Sequence, residues 1–429
     1  MLDKTVREQI IALIHQEVVP AIGCTEPMAV ALCVAKATET LGEIPESIQV
    51  LLSPNMLKNA MGVGIPGTGM IGLPIAVALG ALVGKSEYGL EVLRDSNPQA
   101  VEKGKKYMSE NRIKVGLKDA DVDKLYIEVA VKSGKSEAVA IISGSHTHFV
   151  YVAKDMQVLL DEQNSSAAEA ESSEIELTLK TVYEFATTSP LEELEFINEA
   201  RKLNENASKL ALKGNYGHDL GKTLTRPLGK GIMGDSIFSH ILSATSSACD
   251  ARMAGAMIPV MSNSGSGNQG IAATMPVVVF AEENHNTAEE LTRALVLSHL
   301  TAIYVKQSLG RLSALCGCVV ASTGSSCGIT YLMGGSYDQV SYSVKNMIAN
   351  LAGMVCDGAK PSCALKVSSG VSTAVLSAML AIQNRYVTSA EGLIENDVDR
   401  CIHNLTHVGA DGMNETDRMV LDIMTHKQP

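Results

Sequence analysis

From its first residues the chain spaces apolar side chains at helical intervals. Val6, Ile10, Leu13, Ile14 and Val18 fall on one face of MLDKTVREQIIALIHQEVV, which predicts an amphipathic helix. A second helix is expected from about Pro27 to Leu41, opened by Thr25-Glu26-Pro27, with proline in the first turn where its missing N–H costs nothing. The pattern then changes to alternation. SIQVLL (47–52), KLYIEVAV (124–131), EAVAIIS (137–143) and THFVYVA (147–153) read as strands by their β-branched content, and KSGK forms a tight turn between the second and third. Past residue 176 helical spacing returns and nearly everything reads as helix, including about 191–212, 236–257, 286–309, 338–354 and 366–384, punctuated by Gly- and Ser-rich breaks. The stretch Asp161 to Glu176 holds six acidic residues and no basic one, the composition of a solvated linker. No repeat recurs at a fixed period, which argues against a solenoid.

These patterns predict an α+β protein: a mainly helical domain with a smaller inserted β-containing domain. Residues 1–45 and 176–429 would form the helical domain, and 46–175 the insertion, with the acidic linker near its end. A chain of 429 residues exceeds what one hydrophobic core usually serves, in keeping with two domains. Aromatics are only 4% and Trp is absent, while Met numbers 19, so the core must come from Ala, Leu, Ile, Val and Met, which suits close helix packing. A net charge of -12 argues against nucleic acid, because a polyanion needs clustered Lys and Arg. A small-molecule partner fits better. The apolar runs Leu73 to Gly84 and Ile271 to Ala281 fall short of the roughly 20 residues of a membrane helix, and the charged N-terminus is unlike a signal peptide. A cytoplasmic protein without a membrane partner is therefore expected. The Ala- and Gly-rich helical surface is compatible with a homodimer.

Two glycine-rich strings, GVGIPG (62–67) and GSGNQG (265–270), match the spacing of a dinucleotide fingerprint but lack its strand-turn-helix context. The second has another use. In MSNSGSGNQG (261–270), Ser262, Asn263, Ser264, Ser266 and Asn268 precede an apolar helix, an arrangement that can cradle a small carboxylate or serve only as a capped loop.

The cysteines carry the strongest chemistry. Nine of them in a chain without an export signal point to metal or catalytic use rather than disulfides. Cys33 and Cys249 sit in helical contexts as packed thiols, and Cys401 has no evident partner. Cys316, Cys318 and Cys327 in LSALCGCVVASTGSSCG, with Cys356 and Cys363 in MVCDGAKPSCALK, lie beside Gly, Ser and Pro breaks where a backbone can turn thiolates toward one point. Their spacing matches neither a zinc knuckle nor a ferredoxin run. Cys24 stands apart, immediately before the start of the second helix, where the helix dipole is expected to draw a thiol toward its thiolate.

The stretches GCTEP (23–27), SPNMLKN (53–59), GIPGTGMIGLPIA (64–76), CDARMAGA (249–256), MSNSGSGNQGIAATMPV (261–277), RLSALCG (311–317) and MVCDGAKPSCALKVS (354–368) together resemble the L-cysteine desulfidase family, related to the alpha chain of iron-sulfur L-serine dehydratases. The resemblance runs in order along most of the chain. It implies a lyase holding a 4Fe-4S cluster on three cysteines, matching Cys316, Cys356 and Cys363, with Cys24 as the base that takes the substrate proton. The reaction implied is β-elimination of sulfide from L-cysteine, giving pyruvate and ammonia. L-Serine dehydration would use the same groups, and a non-catalytic iron-sulfur sensor or an amino-acid-binding protein are the competing classes. For the substrate carboxylate, the 262–268 loop together with Asn55, Lys58 and Asn59 are the expected donors. Cys318 and Cys327 have no counterpart in the resemblance, and His146 and His148 read as a strand-end pair that is more simply exposed than catalytic.

Overall fold

A computed structural model of the chain describes residues 2–163, 175–310 and 312–427. Most of the acidic stretch expected as a linker lies outside the described residues. Helix α1 (Lys4–Glu17) is opened by Asp3, whose carboxylate accepts from Thr5 N–H at 2.9 Å, and it buries Ile10, Leu13 and Ile14. A three-residue strand β1 (Pro20–Ile22) leads to α2 (Thr25–Leu41). Next come β2 (Ser47–Leu52), α3 (Pro54–Ala60), α4 (Leu73–Leu82) and α5 (Pro98–Ser109).

Strands β3 (Ile113–Leu117), β4 (Tyr126–Ser133), β5 (Ser136–Ser143), β6 (Phe149–Lys154) and β7 (Gln157–Asp161) join β2 in a six-stranded sheet of order β3-β2-β4-β5-β6-β7. The β2/β3 pair is parallel, as its intervening helices require, and every other pairing is antiparallel. Four of these strands lie where alternation predicted them. The other two, β3 and β7, are the edges of the sheet, and their residues do not alternate cleanly between buried and exposed.

After residue 176 the chain is helical: α6 (Leu179–Thr188), α7 (Asn198–Lys213), α8 (Ile237–Met253), α9 (Gly267–Glu283) and α10 (Ala288–Leu309). They are followed by α11 (Gly317–Leu332), α12 (Tyr337–Leu351), α13 (Cys363–Ile382), α14 (Val398–His407) and α15 (Asn414–Thr425). A last short strand, β8 (Pro259–Met261), pairs with β1, with Ala21 opposite Val260. The protein is α+β with a helical majority.

Helix α11 is the centre of the helical part, packed against α9, α10, α12 and α13. Small residues make this possible. A Cβ at Gly324 would stand 2.2 Å from the Ser298 carbonyl of α10, and one at Gly328 would stand 2.9 Å from Ala294 O. Segment 317–332, which looked like a run of loop-borne cysteines, is thus a buried helix whose Gly and Ser content permits close approach instead of breaking it. Helix α13 is long and apolar enough to cross a membrane by composition, yet half of its apolar window is buried inside the protein.

The buried side chains form two main cores. One lies among the helices and includes Ile10, Phe185, Leu297, Val319 and Val371. The other lies on the sheet, and there α2 contributes Met28 to Ala37, with Ile75 to Leu79 of α4 against Ile48, Val50, Val129 and Ala140. Helix α2 was expected with the helical domain. Its face of Ala, Val and Leu instead covers the sheet, so only its first turn reaches the helical part.

Candidate active site

Four helices point their N-termini at one cavity of about 100 Å³, and none of the four is closed by a side-chain cap. Cys24 occupies the N-cap of α2, Ser266 that of α9, and Cys316 that of α11, while Cys363 is the first residue of α13; all four line the cavity. The positive dipole ends at these termini favour anions, although at α13 the first N–H groups are already taken, Cys363 N–H by Lys360 O at 2.9 Å and Ala364 N–H by Pro361 O at 3.2 Å. The backbone brings the distant cysteines together: Leu315 pairs with Val355, Cys316 N–H donates to Met354 O at 2.9 Å, and Cys356 N–H to Ala314 O at 2.7 Å. Cys356 and Cys318 also line this cavity, with Cys318 Sγ 3.4 Å from Cys316 Sγ.

Arg252, at the end of α8, is nearly sealed from solvent and lines the same cavity. Its Nε donates to Gly23 O at 3.1 Å, and its terminal nitrogens form no hydrogen bond among the described residues, leaving the fork free for a planar anion. Gly267 makes room for it, because a Cβ there would lie 2.3 Å from Arg252 Nε. Three residues of the cavity wall, Asn59, Asn268 and Gln269, each carry a buried amide oxygen without a hydrogen-bond partner among the described residues. Glu26 contributes the one carboxylate of the cavity wall among the described residues.

The expected carboxylate donors divide. Asn59, Ser266 and Asn268 line the cavity. Asn55 and Lys58 do not, because Asp417 of α15 takes both: Asn55 Nδ2 donates to Asp417 Oδ2 and Lys58 Nζ to Asp417 Oδ1. Lys58 Nζ also reaches Cys356 O at 3.4 Å, so its work is to hold the loop that carries Cys356. Ser262 and Asn263 turn inward: Ser262 Oγ donates to Val19 O at 2.6 Å, and Asn263 Nδ2 to His299 O at 3.0 Å. Ser264 donates to Asn263 Oδ1 and opens on a neighbouring cavity of about 350 Å³ that shares Lys306 and Leu312 with this one. These three shape the loop. Neither His146 nor His148 lines this cavity; His148 is exposed as expected, 3.4 Å from Glu162, whereas His146 is buried, contrary to the expectation of an exposed pair. Cys33 donates to Ala140 O at 3.3 Å behind the sheet, while Cys249 and Cys327 are buried, the latter pushed up to about 12 by burial.

The family model described as serine dehydratase alpha chain matches residues 87–422. The chain belongs to the serine dehydratase alpha chain family. Similar chains include the UPF0597 protein BF3560 of Bacteroides fragilis, 70% identical over 421 residues and 98% of both chains. UPF0597 proteins of Phocaeicola vulgatus and Porphyromonas gingivalis are 67% and 54% identical over the whole length of both chains. The family match takes in Arg252 and the cysteines at 316, 356 and 363; Cys24, Glu26 and Asn59 precede it.

The donor set fits the cluster that the resemblance implies. Among the described residues no three His, Cys, Asp or Glu side chains converge as they would on a single ion. Three thiols spread around one cavity suit a polynuclear cluster, in which each thiolate binds a different iron. In the metal-free protein these thiols are protonated. Cys356 is pushed well up, first by its hydrogen bond with Cys316 and then by burial, and Cys363 is raised by burial. Metal binding must therefore release their protons.

Cys24 departs from expectation. Burial is the largest influence on it and the Glu26 charge the next, and both raise its pKa well above the ordinary thiol value, outweighing the lowering by Arg252. A helix dipole contributes about 0.3–1 kcal/mol, less than one pKa unit, whereas full burial moves a group by up to about 3–5 units. The resting group is a thiol, and it donates to Glu26 Oε2 at 2.9 Å.

Proposed function

We propose that the chain is a 4Fe-4S-dependent lyase that removes sulfide from L-cysteine by β-elimination, with pyruvate, ammonia and sulfide as products. The observation that carries this reading is the meeting of Cys24 with Cys316, Cys356 and Cys363 around one cavity that also holds a free Arg fork. Arg252 and the uncapped start of α9 suit the α-carboxylate of an amino acid. The partnerless oxygens of Asn59, Asn268 and Gln269 suit its ammonium. An amino acid held at both ends would present its Cα–H to the wall that carries Cys24, which takes that proton as general base. Cys316, Cys356 and Cys363 would hold the cluster, which would supply a Lewis acid for the departing sulfur. The sealed wall around Cys24, 2% exposed, keeps bulk water from competing for the proton.

L-Serine is the second reading, favoured by the family's description, with hydroxide leaving in place of sulfide. Protein reconstituted with iron and sulfide without oxygen tests both. The expected result is brown protein that releases pyruvate and sulfide from L-cysteine faster than pyruvate from L-serine. Faster turnover of L-serine would select the second reading. Colourless protein, or full iron loading with turnover of neither, would refute the lyase.

A further inference from the structure

We infer that Glu26 takes the proton of the Cys24 thiol and passes it to the leaving group, so that the two side chains act as a relay. The inference rests on the lyase reading above. A β-elimination takes one proton from Cα and returns one to the departing atom, yet a thiol cannot accept a proton until it has lost its own. Among the described residues the cavity wall supplies one carboxylate to take that proton. Cys24 Sγ donates to Glu26 Oε2 at 2.9 Å; Thr25 Oγ1 reaches the same oxygen at 3.1 Å and Gly265 O at the shorter 2.7 Å. The other charged groups of the wall are the cations Arg252, Lys306 and Lys366, and its remaining titratable groups are the thiols of Cys316, Cys318, Cys356 and Cys363. Lys366 Nζ is spoken for by Val355 O at 2.7 Å and by Asp357, and Lys306 Nζ donates to Gly310 O at 2.7 Å.

The cycle closes on itself. The thiol proton moves to Glu26 Oε2, leaving a thiolate beside a neutral acid. Arg252 still faces that thiolate, while the carboxylate charge that disfavoured it is gone. The Cα–H bond breaks and its proton goes to Cys24 Sγ. The freed electron pair becomes the Cα=Cβ double bond as the Cβ–S pair departs on sulfur, and Glu26 gives its proton to the sulfide. Aminoacrylate and hydrogen sulfide result, and both residues regain their starting states. With L-serine the same count yields water.

Glu26→Gln in the reconstituted protein tests this. The expected loss in kcat at neutral pH is about 10²- to 10⁴-fold, with iron content unchanged. The pH profile should change shape as well, the variant's rate climbing through alkaline pH where hydroxide ionises Cys24 directly and the wild type is level. A second readout needs no cluster. In the infrared difference between the wild type and Cys24→Ser, the thiol stretch should lie at the low frequency of a strong donor and move upward in Glu26→Gln. Wild-type kcat and pH profile in Glu26→Gln, an unmoved stretch, or loss of iron with the activity would overturn the relay. Wild-type protein that turns over neither amino acid would instead refute the lyase reading, and the relay with it.

Discussion

Replacing Asp417 by Asn removes the charge that faces one of the most deeply buried cations in the molecule. The Lys58 side chain is 1% exposed and that of Asp417 15%, and the pair joins α3 to α15 across the loop that carries Cys356. Removing one partner of a buried ion pair costs about 3–5 kcal/mol, because the remaining charge stays out of water. Asp417 is not wholly sealed, and an Asn can still accept from Lys58 Nζ, so a loss at or below the bottom of that range, about 2–3 kcal/mol, is expected. Urea unfolding followed by far-UV circular dichroism measures it, the absence of Trp ruling out the usual fluorescence probe. The paired variant Lys58→Met with Asp417→Leu buries no charge and should recover most of the loss. The reasoning fails if Asp417→Asn unfolds within about 0.5 kcal/mol of the wild type, or if the paired variant is no better than the single one. The same substitution loosens the hold of Lys58 on the Cys356 carbonyl, so reconstituted Asp417→Asn should lose iron faster under a chelator.

Three other expectations concern separate parts of the structure. His299 is buried between Asn263 and Thr274, and burial lowers its pKa to about 3, so the folded protein stays neutral there while the unfolded chain binds a proton below about 6.5. Stability therefore rises with pH across that window, and lowering the pH from 7.5 to 5 should cost the wild type about 2 kcal/mol more than His299→Gln in urea unfolding; equal losses would contradict it. Arg252→Lys keeps the charge but loses the fork, and a charge-assisted hydrogen bond of about 1.5–3 kcal/mol predicts a KM for L-cysteine about 10- to 100-fold higher at unchanged iron content; an unchanged KM would remove Arg252 from substrate binding. Gly324→Ala places a Cβ 2.2 Å from the Ser298 carbonyl, and unless α10 and α11 part at no cost, unfolding should show a loss of about 1–3 kcal/mol.

The part of the fold visible in the sequence is the part whose causes are local. β2 falls on the alternating stretch Ser47–Leu52, and α10 begins at Ala288 because Thr287 and Glu290 form a capping box. The edge strands β3 and β7 carry no such alternation, and α2 covers the sheet because of what lies opposite it, which no window of sequence contains. The site divides in the same way. Cys24, Cys316, Cys356 and Cys363, singled out by the resemblance and not by their spacing, line one cavity. Asn55 and Lys58 have the chemistry of substrate donors, but their partner, Asp417, comes more than 350 residues later and no local window contains it. Ser262 and Asn263 have the chemistry of a carboxylate cradle, but a turn with Ser264 at φ 47° points them at Val19 and His299. The places of Arg252 and Glu26 in the cavity wall are not legible in CDARMAGA or GCTEP, since nothing in either stretch tells which side chain faces a cavity. The acidity of Cys24 was reversed for the same reason: the helix dipole can be read from sequence and burial cannot.

The central claim is that Cys24 faces a cluster held by Cys316, Cys356 and Cys363 without being one of its ligands. The most direct measurement is the iron and acid-labile sulfide content of Cys24→Ser, reconstituted without oxygen beside the wild type, with pyruvate release from L-cysteine assayed on the same samples. The account predicts a full complement of iron and sulfide with turnover reduced by at least about 10²-fold, the share of a lost general base. Loss of iron in Cys24→Ser would make Cys24 a fourth ligand, and retention of wild-type turnover would remove it from the reaction; either result contradicts the account.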